Sequence, residues 1–480
     1  MAYIGKTPVI GNFVKLDSIT VVNGQAAYTM QNGGSNFTDY ESVNQFLVSL
    51  NGTIQAPTDS FTVSGSTLTF ASNLSTGDVI DFIMVFGNSL SAGTPTDATV
   101  TTAKLADSAV TAAKITDSTI TSGKLASGVV QNQSAFKNII INGDMSIAQR
   151  GTSQASITDD GYYTVDRFKT FNDTLGTWTQ SQSTDVPSGQ GFATSLKMDC
   201  TTADASPASG DRLGIRQQFE GQNLQYLKFG TSSAESLTLS FWVKSNKTGT
   251  YIAELYGVTD NRQISKSYTI SSADTWEKKT ITFDGDTGGT YNNDISNELI
   301  VSWFLGAGSN YTSGTLSTTW GAKTDADRAV GQVNLGDSTS NEWYITGVQL
   351  EAGTSASDFE FLPHDVNLQR CRRYCQTLVN TGQTYEPIGI GYVYNTSNFH
   401  VNTFLNPIMR TAPTISFASG TYYYVQQGGG DVGSNSLTLN QSSPQSFLMT
   451  VSGGTYSSAG TSGILFANNS SASVIYLAEL

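Results

Sequence analysis

The sequence predicts a mainly β protein in four parts: a small β-sandwich, a repetitive fibrous shaft, a central antiparallel block, and a short helix followed by a C-terminal β domain. Glycine occurs 47 times, aromatic residues make up 10% and charged residues only 13%, which is typical of short strands joined by turns. Hairpin-turn signals separate short alternating segments. A ten-residue repeat then divides the chain.

The charge balance limits the classes of partner that the protein is expected to bind. The chain has 25 Lys and Arg against 39 Asp and Glu, a formal net charge of -14. Nucleic-acid binding depends on clustered basic residues that release counterions. We therefore expect no nucleic-acid partner.

The three cysteines and the N-terminus indicate the compartment. An odd, low cysteine count does not describe a disulfide framework, so folding in a reducing cytosol fits. Met1–Asn12 lacks a charged region followed by an apolar core, and no stretch of about 18 apolar residues occurs. We expect no signal peptide and no membrane insertion.

Residues 1–98 read as a small β-sandwich. Phe46–Leu50 runs into Asn51-Gly52, a hairpin signal because both central residues of a type I′ turn need positive φ. A second hairpin is predicted at Gly65-Ser66. The segment VSLNGTIQAPTDSFTVSGSTLTFASNLSTGDVIDFIMV, residues 48–85, resembles a domain near the N-termini of phage tail fibre proteins. That resemblance implies docking to phage tail proteins through residues 1–98.

Residues 99–133 form the predicted shaft. An apolar residue falls at every fifth position from Val100 to Val130, and lysine recurs every tenth at Lys104, Lys114 and Lys124. Neither a lone helix nor a lone strand keeps these positions on one face. Copies of the chain wound around one axis would bury them, and a trimer is favoured. The alternative is a flexible Ser/Thr/Ala-rich linker. VTTAKLADSAVTAAKITDSTITSGKLA, residues 100–126, resembles shaft repeats of phage fibres.

Residues 134–362 contain all six tryptophans. Leu237–Lys244 alternates strictly, which places Phe241 on one face of a strand and Trp242 on the other, polar face. Further strands are predicted over Tyr251–Tyr256, Trp276–Phe283 and Trp343–Leu350. Each segment has the length and pattern of an antiparallel strand.

Three segments of this block share one resemblance. NIIINGDMSIAQRG (138–151), LSFWVKSN (239–246) and WYITGVQLEAGTSASDFEF (343–361) together resemble the jelly-roll module of phage tail fibres and related carbohydrate-binding modules. The resemblance implies an antiparallel two-sheet sandwich that recognises glycans, without fixing which residues contact sugar.

Sugar binding needs an aromatic face against the CH surface of a pyranose ring, with polar groups nearby for the hydroxyls. The candidates are Trp242, Tyr256, Tyr311 and Trp320. Core or inter-subunit packing is the alternative for each of them. The Gly-rich run Gly306–Gly321 is long for a hairpin loop and is the preferred binding loop.

No catalytic residue and no cofactor is predicted. The acidic neighbours Asp159-Asp160, Asp284 with Asp286, and Asp325 with Asp327 suit solvated turns, because glycosidase pairs are defined by spatial separation. His364 and His400 sit in neither a nucleophile motif nor a metal-ligand spacing. A structural calcium ion at loop carboxylates stays open and unassigned.

Residues 363–480 are predicted to begin with a helix over Asp365–Val379, followed by a β domain. Leu368, Cys371, Cys375 and Leu378 would share one helical face, with the cysteines as small apolar packing residues. Three arginines lie off that face, free to bind an anion, to be solvated or to pair with acids: Arg370, Arg372 and Arg373. DVNLQRCRRYCQTL (365–378) and FLNPIMRTAPTISF (404–417) resemble the helix and strand pair that follow tail-fibre jelly-rolls.

Tyrosine-rich turns suggest a second contact region. Tyr422, Tyr423 and Tyr424 are candidate receptor contacts at the tip, and the alternative is a strand with tyrosines on both faces of a trimer.

Taken together, the resemblances imply a phage tail fibre adhesin, located in the virion tail after assembly in the host cytoplasm. It would be a homotrimer that docks to the tail and binds a host surface glycan without enzymatic activity. The alternatives are a fibre-borne polysaccharide depolymerase and a purely structural fibre.

Overall fold

A computed structural model describes residues 13–87, 105–106, 109–111, 115, 136–380, 382, 384–428 and 430–480. Antiparallel strands dominate it, so the predicted mainly β class is confirmed. The chain divides into two compact units, Met1–Val130 and Gln131–Leu480.

The first unit is a β-sandwich. Its strands are β1 (Phe13–Lys15), β2 (Gln25–Thr29), β3 (Gln31–Asn32), β4 (Ser35–Asn36), β5 (Phe46–Leu50), β6 (Thr53–Gln55), β7 (Phe61–Ser64), β8 (Thr67–Leu74) and β9 (Ile80–Phe86). One sheet has the order β1-β9-β5-β6, another has β2-β8-β7, and β3 pairs with β4. Buried residues of both larger sheets, such as Val48 and Phe61, belong to one hydrophobic cluster. The predicted small sandwich is therefore confirmed.

Both predicted hairpins are present. Asn51 and Gly52, with φ of 52° and 72°, connect β5 to β6, and Gly65, with φ of 54°, begins the turn between β7 and β8. These left-handed conformations are those that Asn and Gly adopt most easily.

The shaft prediction lies outside the described residues, apart from residues 105–106, 109–111 and 115. The exposed side chains of Leu105, Val110 and Ile115 are its described apolar positions.

The second unit begins with a two-sheet sandwich. Its elements are β10 (Ser153–Ile157), β11 (Lys169–Asp173), β12 (Thr177–Ser183), β13 (Ser195–Thr202), β14 (Arg212–Glu220), β15 (Leu237–Ser245), β16 (Gly249–Gly257), β17 (Arg262–Ile270), β18 (Glu277–Phe283), β19 (Asn297–Ala307), helix α1 (Ser309–Thr312), β20 (Gly321–Ala322) and β21 (Glu342–Ala352). The sheet with the order β10-β12-β13-β21-β15-β18 is called here the Trp242 sheet, and the one with the order β11-β14-β19-β16-β17-β20 the Tyr256 sheet.

Aromatic side chains fill the space between these sheets. Trp178, Trp303 and Trp343 are fully buried, and Phe241 of the Trp242 sheet meets Trp303 of the Tyr256 sheet edge to face at a centroid distance of 5.9 Å. Along β15 the apolar residues at alternate positions face this core while Trp242 is half-buried on the opposite face. The predicted alternation and the antiparallel jelly-roll sandwich are confirmed.

The C-terminal part consists of a helix followed along the chain by a second β-sandwich. Its elements are α2 (His364–Arg372), β22 (Cys375–Val379), β23 (Glu386–Asn395), β24 (Asn398–Phe404), β25 (Thr414–Phe417), β26 (Tyr423–Gln427), β27 (Gly430–Ser434), β28 (Ser436–Asn440), β29 (Ser446–Ser452), β30 (Ser462–Ala467) and β31 (Val474–Leu477). The sheet β22-β31-β25 shares a hydrophobic cluster with the seven-stranded sheet β27-β26-β30-β23-β24-β29-β28, which is called here the C-terminal sheet.

The predicted helix over Asp365–Val379 is wrong beyond Arg372. Cys375 lies in β22 opposite Leu477, so its backbone joins a sheet ladder instead of a further helical turn. The Tyr374 hydroxyl donates to Glu220 of the jelly-roll, which fixes the chain where the helix ends. Tertiary pairing has overridden the helical period here. Cys371 and Cys375 are both buried and free, as expected of small apolar packing residues.

Buried charges join the two sandwiches of the second unit. Arg373 donates to both carboxylate oxygens of Glu220, at 2.7 and 2.6 Å, so at least one of the three helix arginines pairs with an acid. Glu479, close to the end of the sequence, accepts from Arg150 at 2.8 Å and from the buried Arg167. Arg167 also lies 3.5 Å from the Tyr374 ring centroid.

Within the described part of the chain, no helix has both the length and the apolar character needed to span a membrane.

Candidate ligand-binding cavity

The outer face of the Tyr256 sheet carries several polar residues because alternate positions of its long strands point away from the core. On β14, Leu213 and Ile215 are buried in the core while Arg212 and Arg216 point away from it. The same period places Glu254 and Tyr256 outward on β16.

Strand register brings these outward residues side by side. Arg216 lies opposite Ser302 of β19, and Ser302 lies opposite Glu254, so the three form a row across three strands. In the next row, Ile300 lies opposite Tyr256. Neighbouring outward residues on paired strands are about 5 Å apart, close enough to form one surface.

A cavity of about 150 Å³ opens on this surface. It is lined by Arg212, Arg216, Glu254, Tyr256, Ile300, Ser302, Lys323 and Arg328. The segment that follows β20 supplies the last two residues and forms one wall.

Arg328 fixes that wall to the sheet. Its Nε and Nη2 donate to the two carboxylate oxygens of Glu254, each at 2.7 Å, and both side chains are largely buried. The guanidinium also lies 5.8 Å from the Tyr256 ring centroid and 5.9 Å from that of Tyr311. A bidentate pair with two ring contacts leaves this side chain little freedom.

The cavity is cationic although the chain is acidic. Four of the described lining residues are Lys or Arg, and Glu254 is the one carboxylate among them. Other acids pair with these cations from outside the lining: Asp173 with Arg212, Asp160 with Arg216, and Asp325 with Lys323.

The electrostatic environment of Arg216 follows from this crowding. Burial lowers the pKa of the Arg216 guanidinium below its ordinary value, and the nearby Arg212 lowers it further, while Asp160 raises it. The surroundings of Arg216 therefore destabilise its positive charge, and the pair with Asp160 partly compensates.

Two of the four predicted glycan-binding aromatics lie at this cavity. Tyr256 lines it, and Tyr311 of α1, within the predicted binding loop, contacts Arg328 and lies 5.3 Å from the Arg212 guanidinium. The other two lie elsewhere. Trp320 packs against Phe229 and donates from Nε1 to the Asp284 carbonyl at 2.6 Å.

Trp242 lies on the outer face of the opposite sheet. It is half-buried opposite Thr346, close to Gly347, where an added Cβ would lie 3.1 Å from the indole. Its binding role stays a prediction, at a place separate from the cavity.

The three tyrosines predicted as tip contacts differ in burial. Tyr423 is fully buried, and its hydroxyl donates to the Ser473 carbonyl at 2.7 Å, so it lies in the core and not on a receptor-facing surface. Tyr422 and Tyr424 are half-buried, and Tyr424 packs on Phe466. Alternation along β26 therefore puts tyrosines on both faces of this strand, as the alternative expected.

The basic residues of the cavity were not predicted from the sequence. Arg212 and Arg216 are four residues apart, which on a strand means the same face, and this signal was available in RLGIR. Arg328 and Lys323 lie in a loop, where sequence alone does not show which sheet they approach.

No group of three or more His, Cys, Asp and Glu side chains that could hold a metal ion occurs in the ranges that the structure describes. The calcium site left open by the sequence therefore remains unassigned.

No family model matches the chain, and no curated protein matches it. Among solved structures it is similar to the enzymatically active domain of tailspike protein 4 of bacteriophage CBA120, at 15% identity, covering 46% of this chain and 22% of that one, with a TM-score of 0.24.

Two carbohydrate-binding proteins are similar over nearly the same share of the chain. One is the family 11 carbohydrate-binding module from Clostridium thermocellum, in complex with a β-1,3-1,4-mixed-linked tetrasaccharide, at 12% identity, 43% and 98% coverage and a TM-score of 0.21. The other is the CBM22-1 xylan-binding domain of Paenibacillus barcinonensis Xyn10C, at 10% identity, 42% and 94% coverage and a TM-score of 0.20. Similarities with TM-scores this low do not indicate which ligand this chain binds.

Proposed function

We propose that this protein is a tail fibre adhesin of a bacteriophage, located in the virion tail. Residues 1–98 dock to tail proteins, residues 99–133 space the distal part from the tail, and the distal domains bind a glycan of the host surface. The observation that supports binding best is the cavity on the Tyr256 sheet, where an aromatic ring stands beside fixed hydrogen-bonding side chains. Sugar rings are recognised by that combination.

The cavity suits binding better than bond cleavage. Glycoside hydrolysis uses two carboxyl groups that flank the scissile bond. Glu254 is the single carboxylate among the described residues of the lining, and both of its oxygens accept hydrogen bonds from Arg328. A carboxylate engaged in this way is poorly placed to transfer a proton or attack a sugar.

A glycan array and a cell-binding assay with the full chain test the adhesin. We expect binding to surface polysaccharide of susceptible bacteria, and a loss of about fivefold in Tyr256→Ala, since an aromatic contact of this kind contributes about 1 kcal/mol. Tyr226→Ala is the matched control, because Tyr226 is half-exposed and lies outside the cavity lining. Equal binding by both variants would remove the cavity from the proposal.

The depolymerase alternative is tested on the same polysaccharide. Reducing ends are followed over hours with a large excess of substrate over the full chain. An adhesin gives no sustained release, whereas continued release would establish catalysis. Absence of binding to susceptible cells, together with no release, would favour a purely structural fibre.

The C-terminal sheet offers a surface for self-association. Its outer face exposes large apolar side chains, among them Ile390 at 74%, Phe404 at 78% and Tyr394 at 57%. Ile390 lies opposite Ile464 and Tyr392 opposite His400, so the apolar residues are contiguous across β30, β23 and β24. We call this surface the apolar outer face. Exposed apolar patches of this kind mark interaction sites.

A second and third copy of this chain are the proposed occupants. The described outward residues of β24, of β30 and of the part of β23 that begins at Ile390 include no Lys, Arg, Asp or Glu. Copies that each carry a net charge of -14 repel one another through most of their surface, whereas this neutral face meets its own copy without that repulsion. The face therefore supports the homotrimer that the shaft repeat predicts.

A further inference from the structure

We infer that the cavity on the Tyr256 sheet binds the carboxylate group of an acidic sugar unit, such as a uronic acid, within a surface polysaccharide. This inference rests on the proposed glycan-binding function and names the class of glycan. Three observations support it: the charge of the lining, an unused donor on Arg216, and the shape of the groups that surround it.

The charge of the lining is opposite to that of the chain. Four basic side chains and one carboxylate face a cavity of about 150 Å³ in a protein with a net charge of -14. Because Arg328 neutralises Glu254, the remaining basic residues Arg212, Arg216 and Lys323 have only partners outside the lining. Those partner carboxylates offset the charge from outside the lining, so the charged groups nearest to a ligand are the basic side chains, whose N–H donors favour an anion over a neutral group.

Arg216 has a donor to offer. Its Nη2 donates to Asp160 at 2.9 Å, but its Nε is buried and has no hydrogen-bond partner among the described residues. A buried N–H without a partner is costly, so a reorientation of the Arg216 side chain that brings this donor to a ligand acceptor would relieve that cost. The Arg212 guanidinium, which lowers the pKa of Arg216, adds a repulsion that a bound anion relieves.

The groups around the arginines indicate a carboxylate on a sugar. A guanidinium matches a carboxylate in plane and spacing, so two parallel hydrogen bonds are favoured. Ile300 and the ring of Tyr256 give the same cavity an apolar wall, and the Ser302 hydroxyl adds a neutral partner. An acidic sugar presents these features together: a carboxylate, a CH face and hydroxyls. The volume is below that of sites for drug-sized ligands, which fits a single sugar unit.

The test compares matched neutral and acidic saccharides on the full chain. Isothermal titration calorimetry measures binding of a galactose trimer and of a galacturonic acid trimer with the same linkage, and likewise of glucose and glucuronic acid trimers. We expect at least one acidic trimer to bind ten times more tightly than its neutral counterpart, with an affinity that falls as salt rises. Sodium phosphate and sodium sulfate are titrated as bare anions.

Two variants connect the preference to the cavity. Arg216→Gln removes the charge and shortens the side chain but keeps a polar, hydrogen-bonding end. Lys323→Gln makes the corresponding change at a more exposed position, which tolerates change if Arg216→Gln fails to fold. Each is expected to lower affinity for the acidic trimer about tenfold and to leave the neutral trimer unchanged. Lys228→Gln is the matched control, because its exposed pair with Glu235 lies outside the cavity lining.

The outcomes separate this inference from the proposed function. If neutral and acidic trimers bind equally well, the acidic-sugar inference fails and glycan binding stands. If phosphate or sulfate binds and no uronic acid trimer does, the carboxylate assignment fails. If none of these saccharides and no surface polysaccharide binds, the proposed adhesin function fails as well. A preference for acid that survives both variants would place the site elsewhere and overturn the inference.

Discussion

At the scale of single residues, contacts between side chains that are distant in sequence account for most of what the sequence did not predict. Glu254 and Arg328 are 74 residues apart along the chain, yet they form a bidentate pair in which the carboxylate is buried. Aromatic candidates such as Tyr256 could be predicted because ring type alone suggests sugar contact. Their charged neighbours could not, because partners so distant in sequence are set by strand register and loop path.

The buried Asp166 predicts a measurable pH dependence of stability. Burial raises the pKa of Asp166 to about 6, against its ordinary 3.8, although Arg150 and Gln149 oppose the shift. Between these pH values the folded state binds a proton that the unfolded state has lost, so stability falls as pH rises from about 4 to about 6. Asp166→Asn removes this dependence. The free energy of unfolding of the variant, relative to the natural protein, should rise by about 2 kcal/mol from pH 4 to pH 7.

Urea unfolding followed by tryptophan fluorescence measures this difference, because all six tryptophans lie in the jelly-roll block. Asp274→Asn is the control, since Asp274 is exposed. A difference between Asp166→Asn and the natural protein that stays constant from pH 4 to pH 7 would contradict the assignment.

Among the secondary-structure elements, strands were predictable and helix α2 was predictable only in part. Period-two alternation identified β15 and β21 because each has one face in the core, and Asn51-Gly52 identified its hairpin. The apolar spacing Leu368, Cys371, Cys375 suits a helix equally well beyond Arg372. What ends α2 is a contact between elements, the anchoring of Arg373 and Tyr374 on β14, which local periodicity does not contain.

Arg373→Ala tests that connection between α2 and β14. The change leaves the buried Glu220 carboxylate without its charged partner, and breaking such a pair costs about 3–5 kcal/mol. We expect the urea midpoint of the tryptophan fluorescence transition to fall accordingly. Glu220→Gln added to Arg373→Ala should recover part of the loss, because the uncompensated charge is then gone.

Arg372→Ala, one residue earlier, serves as the control for helix propensity and is expected to change the midpoint little. If Arg373→Ala and Arg372→Ala have the same midpoint, the Glu220 pair does not stabilise the junction.

At the scale of the whole molecule, the four predicted parts differ in how far they can be assessed. The N-terminal sandwich, the jelly-roll and the C-terminal β domain have their expected class because each buries its own apolar cluster. The shaft repeat could be recognised as periodic but not assigned a backbone form, because its apolar positions require neighbours outside one chain.

The apolar outer face allows the proposed self-association of the full chain to be tested. Light scattering coupled to size exclusion at micromolar concentration should give a mass near three times the 51.1 kDa of one chain. Phe404→Lys combined with Ile390→Lys places two charges on that face and should lower the mass, since a buried unpaired charge is costly in an interface.

Ile54→Lys, at a half-exposed apolar residue of the N-terminal sandwich, is the matched control. A trimer that persists in the double variant would locate the interface elsewhere, and a natural protein that runs at the mass of one chain would exclude stable trimers.

The modest volume of the cavity has a consequence for how a phage would meet its host. A site that holds one sugar unit makes few contacts, so each attachment is weak and short-lived. If the protein is the trimeric fibre proposed above, three copies would act together on a polymer that repeats its acidic unit, and several fibres on one particle would multiply that effect through a high effective concentration. Single bonds would then release and re-form while the particle stays near the surface, and such a virion would move across a capsule without leaving it.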